Sequence, residues 1–167
     1  MLQKATPQDI ALIARIAEPV WHEHYTPIIG QEQVEYMLKN MYSTNALLKQ
    51  NSEGQNFYFI LDKGEKVGFI SISKKEAGQW FIHKFYLSMN QQNRQLGSLV
   101  MAEIVRHILQ EDDNKIIDIR LTVNRKNFKS INFYFKNEFK IESVEDFDIG
   151  NGFYMNDFVM VRSIMHQ

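Results

Sequence analysis

The chain has 167 residues, 44% of them apolar and 23% charged, with a net charge of −1. That is an ordinary globular composition, long enough for one sizeable core, and it gives no bulk drive toward nucleic acid or an anionic membrane. The complete lack of Cys excludes a disulfide framework, a thiolate metal site and a cysteine nucleophile.

Leu2 to Ala5 reads as a short strand. Thr6-Pro7-Gln8-Asp9 then opens a helix, with Thr6 as N-cap and Pro7 where a missing N–H costs nothing. Ile10, Ile13, Ala14 and Ala17 form its apolar face. Val34, Met37, Leu38 and Met41 recur at helical spacing and predict a second helix over 31–41, with a further helical turn near 44–50. Residues 56–62 and 66–73 read as strands joined by a turn at Lys63-Gly64-Glu65. A strand over 80–87, a long amphipathic helix over 96–109, a strand over 116–123 and a helix over 127–136 follow. The chain closes with an antiparallel pair over 139–146 and 153–161. The polar stretches are too short to be linkers and there is no repeat, so 1–167 is expected to be a single domain. No apolar run reaches membrane-spanning length, and Met1-Leu2-Gln3-Lys4 shows no signal-peptide core. A cytoplasmic protein with no membrane partner is expected. The order β-α-α-β-β-β-α-β-α-β-β predicts an α/β (α+β) fold: a single mixed, mostly antiparallel sheet of about seven strands flanked by about four helices.

The most telling stretch is Gln92-Asn93-Arg94-Gln95-Leu96-Gly97-Ser98. A strand, a short loop with Arg and Gly, and a helix start make an anion site, because the first helical N–H groups lack internal partners and a Gly permits close approach. Neither G-x-G-x-x-G nor G-x-x-x-x-G-K-[ST] occurs, which argues against a Rossmann or P-loop nucleotide binder. On a helix over 127–136, Asn127, Ser130, Ile131 and Tyr134 share one face.

Three elements together resemble the GNAT superfamily of acetyl-CoA-dependent N-acetyltransferases over essentially the whole length. They are the pyrophosphate loop 92–97, preceded by Phe85-Tyr86-Leu87-Ser88; the helix Asn127-Phe128-Lys129-Ser130-Ile131-Asn132-Phe133-Tyr134; and the closing hairpin around Tyr154-Met155-Asn156-Asp157. That hairpin is similar to the endings of small bacterial members related to polyamine acetyltransferases.

The resemblance implies the GNAT fold, acetyl-CoA as co-substrate and no metal. It also implies that CoA is held by Phe85, Tyr86, Leu87, Gln92, Asn93, Arg94, Gln95, Leu96, Gly97, Ser98, Asn127, Ser130 and Tyr134. Tyr134 would protonate the departing thiolate as general acid. His83 and Lys84 match the strand position where members often carry a Glu base. His83, of ordinary pKa near ~6.5, is a candidate base beside an ordered water, or else a strand His satisfied by a neighbour. Trp21, Glu23 and Tyr25 would line the acceptor site by charge and cation–π attraction, as would Tyr154, with Asp157 a further candidate. The pair His22 and His24 gives no metal signal, since neighbours two apart on a helix point to different faces.

Two positions depart from the pattern: Gln95 stands in the loop's first Gly slot, and Glu138 replaces the Gly that usually precedes Phe139. With helical dihedrals at Gln95 its N–H would still face phosphate, at some cost in affinity. Glu138 would cost local stability where a left-handed residue is preferred. The expected activity is acetyl transfer to a primary amine by direct attack in a ternary complex. A polyamine or other small amine comes first and a peptide or lysine side chain second, with a homodimer among the options. The alternative is a GNAT-fold protein that binds CoA without turnover.

Overall fold

Leu2–Lys4 (β1) pairs antiparallel with Asn56–Asp62 (β2), placing Leu2 opposite Ile60. The computed structural model describes residues 1–88 and 95–166. Its seven strands form one mixed sheet in the order β1-β2-β3-β4-β5-β7-β6, where β3 is Glu65–Glu76, β4 Gln79–Leu87, β5 Ile116–Asn124, β6 Lys140–Gly150 and β7 Phe153–Met165. The pairs β1–β2, β2–β3, β5–β7 and β6–β7 are antiparallel, while β4 and β5 run parallel. The described residues hold five α-helices rather than four: the turn expected near residue 44 is a full third helix, Thr44–Ser52 (α3), capped by Ser43, whose Oγ accepts the Ala46 N–H.

The chain divides into two compact units. The first comprises Met1–Ser73 and His83–Glu103. In it the Thr6–Asp9 capping box starts a 3₁₀ turn, Pro7–Asp9, that runs into α1, Ile10–Ile29. This helix is longer than its two prolines suggest. Pro19 and Pro27 both face solvent, where water takes up the carbonyls that lose an N–H partner. It stops at Gly30, whose φ of +83° turns the chain directly into α2, Gln31–Met41. Ile10, Ile13, Ala17, Val20 and Trp21 bury the inner stripe of α1, and Phe57, Phe59, Ile60, Phe69, Ile70 and Ile72 fill the core from β2 and β3.

The second unit comprises Lys74–Ile82 and Ile104–Gln167. The helix α4, Leu96–Glu111, runs from one unit into the other. Its end is fixed by Asp112, a buried carboxylate that accepts from Gly78 N (3.2 Å), Trp80 Nε1 (2.9 Å) and Lys74 Nζ (3.0 Å), and from Asn114. Burial opposes its charge, but the hydrogen bonds from Asn114, Trp80 and Lys74 win and hold its pKa far below the usual carboxylate range. The helix α5, Phe128–Lys136, buries Ile131 and Tyr134. It ends at Glu138, which has φ +67°, the left-handed geometry expected there; its carboxylate pairs with Arg162 of β7. The hairpin strands β6 and β7 run further than the sequence pattern indicates and meet at Asn151-Gly152, both with positive φ.

Candidate active site

Period-two alternation along β4 sends Trp80, Ile82, Lys84 and Tyr86 to one face and Phe81, His83, Phe85 and Leu87 to the other. On the first face, within the first unit, an aromatic cluster surrounds Tyr86. Trp21 and Tyr25, one turn apart on α1, stack at 4.3 Å between centroids. Tyr42, at the end of α2, sits 4.8 Å from the Trp21 ring, and its hydroxyl lies 2.8 Å from that of Tyr86. Phe69 packs 5.3 Å from Tyr86. Gly68 on β3 lets this strand end come close, because a Cβ there would overlap the Tyr86 carbonyl oxygen. Burial pushes the Tyr42 phenol well above its ordinary pKa.

Lys84 enters the same cluster. Its Nζ donates to Gln50 Oε1 at 2.6 Å and lies 5.0 Å from the Tyr42 ring centroid and 5.8 Å from that of Phe57. Burial lowers its pKa to about 8. Beside the cluster, a cavity of about 720 Å³ is lined by Tyr42, Leu38, Ser43, Arg15 and Glu18, among others. On the opposite face of β4, half-buried His83 has Nε2 2.8 Å from Ser73 Oγ. Phe85 and Leu87 are also half-buried there.

Of the acceptor-side candidates, Trp21 and Tyr25 are brought together, whereas Glu23 is exposed, half a helical turn away. Tyr154 on β7 is also exposed. Tyr42 and Gln50 belong to no motif and went unforeseen; only tertiary packing brings the end of α2 and the end of α3 to β4.

Gln92, Asn93 and Arg94 lie outside the described residues. Gln95 has φ +57°, so it is not in right-handed helical geometry as expected; it takes the left-handed conformation that a Gly slot demands. Its carbonyl accepts the N–H groups of Ser98 (3.1 Å) and Leu99 (3.2 Å). The N–H groups of Leu96 and Gly97 precede the first of these donors, and so lack an intrahelical acceptor and can face a phosphate group at the positive end of α4. Leu96 and Gly97 are half-buried and Ser98 is exposed. This arrangement fits a pyrophosphate-bearing co-substrate such as CoA.

In the second unit Asn127 is buried and acts as N-cap of α5, its Oδ1 accepting the Ser130 N–H at 3.2 Å. It therefore stands just outside the helical face assigned to it, with its side-chain oxygen engaged. Tyr134 is buried between Phe133 and Phe139, with centroids at 5.3 and 5.7 Å. Burial raises its pKa well above the ordinary tyrosine value, so the phenol keeps its proton. Asp157, across from Asn124 in the β5–β7 pairing, is buried as well. Burial pushes its pKa up to about 6 against a lowering hydrogen bond from Thr122.

The profile of the acetyltransferase (GNAT) family matches residues 17–139. A spermidine N(1)-acetyltransferase of Thermoplasma acidophilum is 26% identical over 152 residues, covering 88% of this chain and 92% of its own. Among solved structures, the PaiA N-acetyltransferase from Thermoplasma acidophilum in complex with coenzyme A superposes with a TM-score of 0.78 at 23% identity, covering 98% of both chains. A GCN5-related N-acetyltransferase from Rhodopseudomonas palustris gives a TM-score of 0.77 at 17% identity over 98% of this chain and 95% of its own.

Proposed function

Because the chain belongs to the acetyltransferase (GNAT) family and is an acetyl-CoA-dependent N-acetyltransferase, we propose that it acetylates the primary amine of a small molecule by direct attack within a ternary complex. The observation that carries this reading is Tyr134, a buried phenol that keeps its proton, on a helix whose start is fixed by Asn127. A protonated hydroxyl in that place can donate to the departing thiolate. Acetyl-CoA supplies the activated acetyl group. Asn127 and Ser130 border its pantetheine arm, and Gln92 to Ser98 with Phe85, Tyr86 and Leu87 hold the rest.

With no Cys in the chain, no acetyl-cysteine step is available. An alkylammonium, of ordinary pKa near ~10.4, must lose a proton before it attacks. A water held beside the acceptor takes it, with His83, which meets Ser73 on the face of β4 opposite Trp21 and Tyr25, as the alternative. Trp21 and Tyr25 supply aromatic faces for an amine. The spermidine acetyltransferase relative makes polyamines the first acceptors to try, with a peptide or lysine side chain next. In this reading 1–167 acts as one catalytic domain.

A second reading, a CoA-binding protein with little turnover, is favoured by one observation. Gln95 carries a side chain at φ +57°, which costs on the order of 1–2 kcal/mol relative to Gly. Thermal-shift stabilisation by CoA, followed by thiol release from acetyl-CoA with an amine panel, separates the two. Stabilisation with amine-dependent thiol release is the expected result. Stabilisation without release on any amine leaves the second reading, and no stabilisation removes both.

A further inference from the structure

We infer that the recess formed by Trp21, Tyr42 and Lys84 receives a carboxylate, and that the acetyl acceptor is a small amine bearing one, such as an amino acid, in preference to a polyamine. The inference rests on the small-amine reading for the identity of the ligand, while the grouping of Trp21 and Lys84 about the Tyr42 ring stands on geometry.

Lys84 is only 7% exposed. A buried ammonium is costly unless an anion compensates it. Its described contacts contain none: one hydrogen bond to the neutral Gln50 amide and two aromatic rings, those of Tyr42 and Phe57. The orientation of that amide is fixed, because Gln50 Nε2 donates to the Met41 carbonyl at 2.9 Å and turns Oε1 toward Lys84. An ammonium carries three donors, so two remain. Residues 89–94, which follow β4, hold no Asp or Glu in sequence.

Trp21 tells the same story independently. It is 3% exposed, and its Nε1–H meets no acceptor in good hydrogen-bonding geometry: the nearby Tyr42 phenol offers only a poorly aligned contact and is itself engaged with Tyr86 at 2.8 Å. Buried donors of this kind are rare and call for an explanation. Tyr42 stands in contact with both groups: its ring is 4.8 Å from the indole and 5.0 Å from the ammonium. The recess is thus rich in donors and positive in charge. Tyr25, Tyr86 and Gln50 at its rim are half-buried, leaving an approach from that side. Glu23 is turned to solvent, and Glu18 lines the neighbouring cavity together with Arg15, so that lining carries no formal net charge. A polyamine would bring further ammonium groups beside Lys84 with no acid to receive them. An amino acid would bring the missing acceptor, and its amine would remain free to react.

The test uses the full chain with acetyl-CoA and matched acceptors that differ only in the carboxylate: lysine against cadaverine and ornithine against putrescine, with spermidine alongside. Thiol release gives kcat/KM, and calorimetry on the CoA-bound protein gives affinity without turnover. The carboxylated member of each pair is expected to win by about tenfold or more. Lys84→Met should bring that ratio close to one. Trp21→Phe, which keeps a ring and removes only the N–H, should reduce it several-fold, and serves if the Lys84 variant does not fold. Preference for the decarboxylated amines or spermidine, or a ratio untouched by both variants, overturns the inference. If no amine is acetylated, the small-amine reading fails by itself and calorimetry still decides the recess: lysine binding lost in Lys84→Met supports it, and no lysine binding overturns it.

Discussion

A phenol buried between two rings is held in its neutral form, and neutrality is what a general acid needs before the thiolate departs. Tyr134 meets that condition through burial alone, since no charged partner contributes to its raised pKa. The hydroxyl contributes little to the bulk of the hydrophobic contact, so Tyr134→Phe should keep the packing against Phe133 and Phe139. We expect it to lower kcat by roughly 10²-fold or more while CoA affinity changes by less than about twofold. Thiol-release kinetics beside CoA calorimetry measure both. Unchanged turnover would remove Tyr134 as the acid and return the role to solvent. The same residue scale separates Lys84 from His83. The two are neighbours in sequence and appear equivalent there, yet strand alternation sends one into an aromatic recess and the other to Ser73.

At the scale of elements, the start of α4 is where sequence and backbone meet most closely. Gln95 has φ +57°, a region in which a Cβ costs on the order of 1–2 kcal/mol and Gly costs nothing. Gln95→Gly is therefore expected to tighten CoA binding several-fold and to leave stability equal or slightly higher, as read by calorimetry and urea titration. Weaker CoA binding would mean that the Gln side chain itself contacts the co-substrate. Glu138 has the same conformation at the end of α5, but there the ion pair with Arg162 offsets part of the cost.

Most elements were legible in the residues because their periodicities are unambiguous: α2 spans Gln31–Met41 as read, and β2 spans Asn56–Asp62. The continuation of α1 past Pro19 was not, since a proline's cost depends on which side of the helix meets water, and that is a tertiary fact. The recess was half legible. Trp21 and Tyr25 stand four apart on one helix and announce themselves. Tyr42 and Gln50 reach the recess through the packing of α2 and α3, which no local pattern encodes.

For the molecule as a whole, two of the groups whose pKa values burial shifts toward the neutral form, Asp157 and Lys84, set how stability responds between about pH 4 and 10; those of Tyr42 and Tyr134 act only above that range. Asp157 faces Thr122, Arg125 and Asp146, and its pKa rises from 3.8 to about 6 on folding. Between those values the folded state holds more protons than the unfolded chain, so stability falls as pH rises from about 4 to 6. Lys84 faces Gln50, Tyr42 and Phe57, none of them charged at neutral pH, and its pKa drops from 10.5 to about 8. Between those values the unfolded chain holds more protons, so stability rises with pH. The acid limb amounts to at most about 3 kcal/mol and the alkaline one to at most about 3.5 kcal/mol.

Below pH 4 the sign reverses, because Asp112, Asp118 and Glu142 all have lowered pKa values and their stabilisation is lost on protonation. The urea midpoint should therefore peak near pH 4–5, sink to a floor between about 6 and 8, and rise again toward 10. Asp157→Asn should lift the floor and flatten the acid limb while leaving the alkaline one. Lys84→Met should do the converse, and also weaken the carboxylate preference. A midpoint that climbs steadily from pH 4 to 8 would mean that both groups meet more solvent or charge than their burial indicates. Because the two limbs are read separately, each variant checks one buried group against the other.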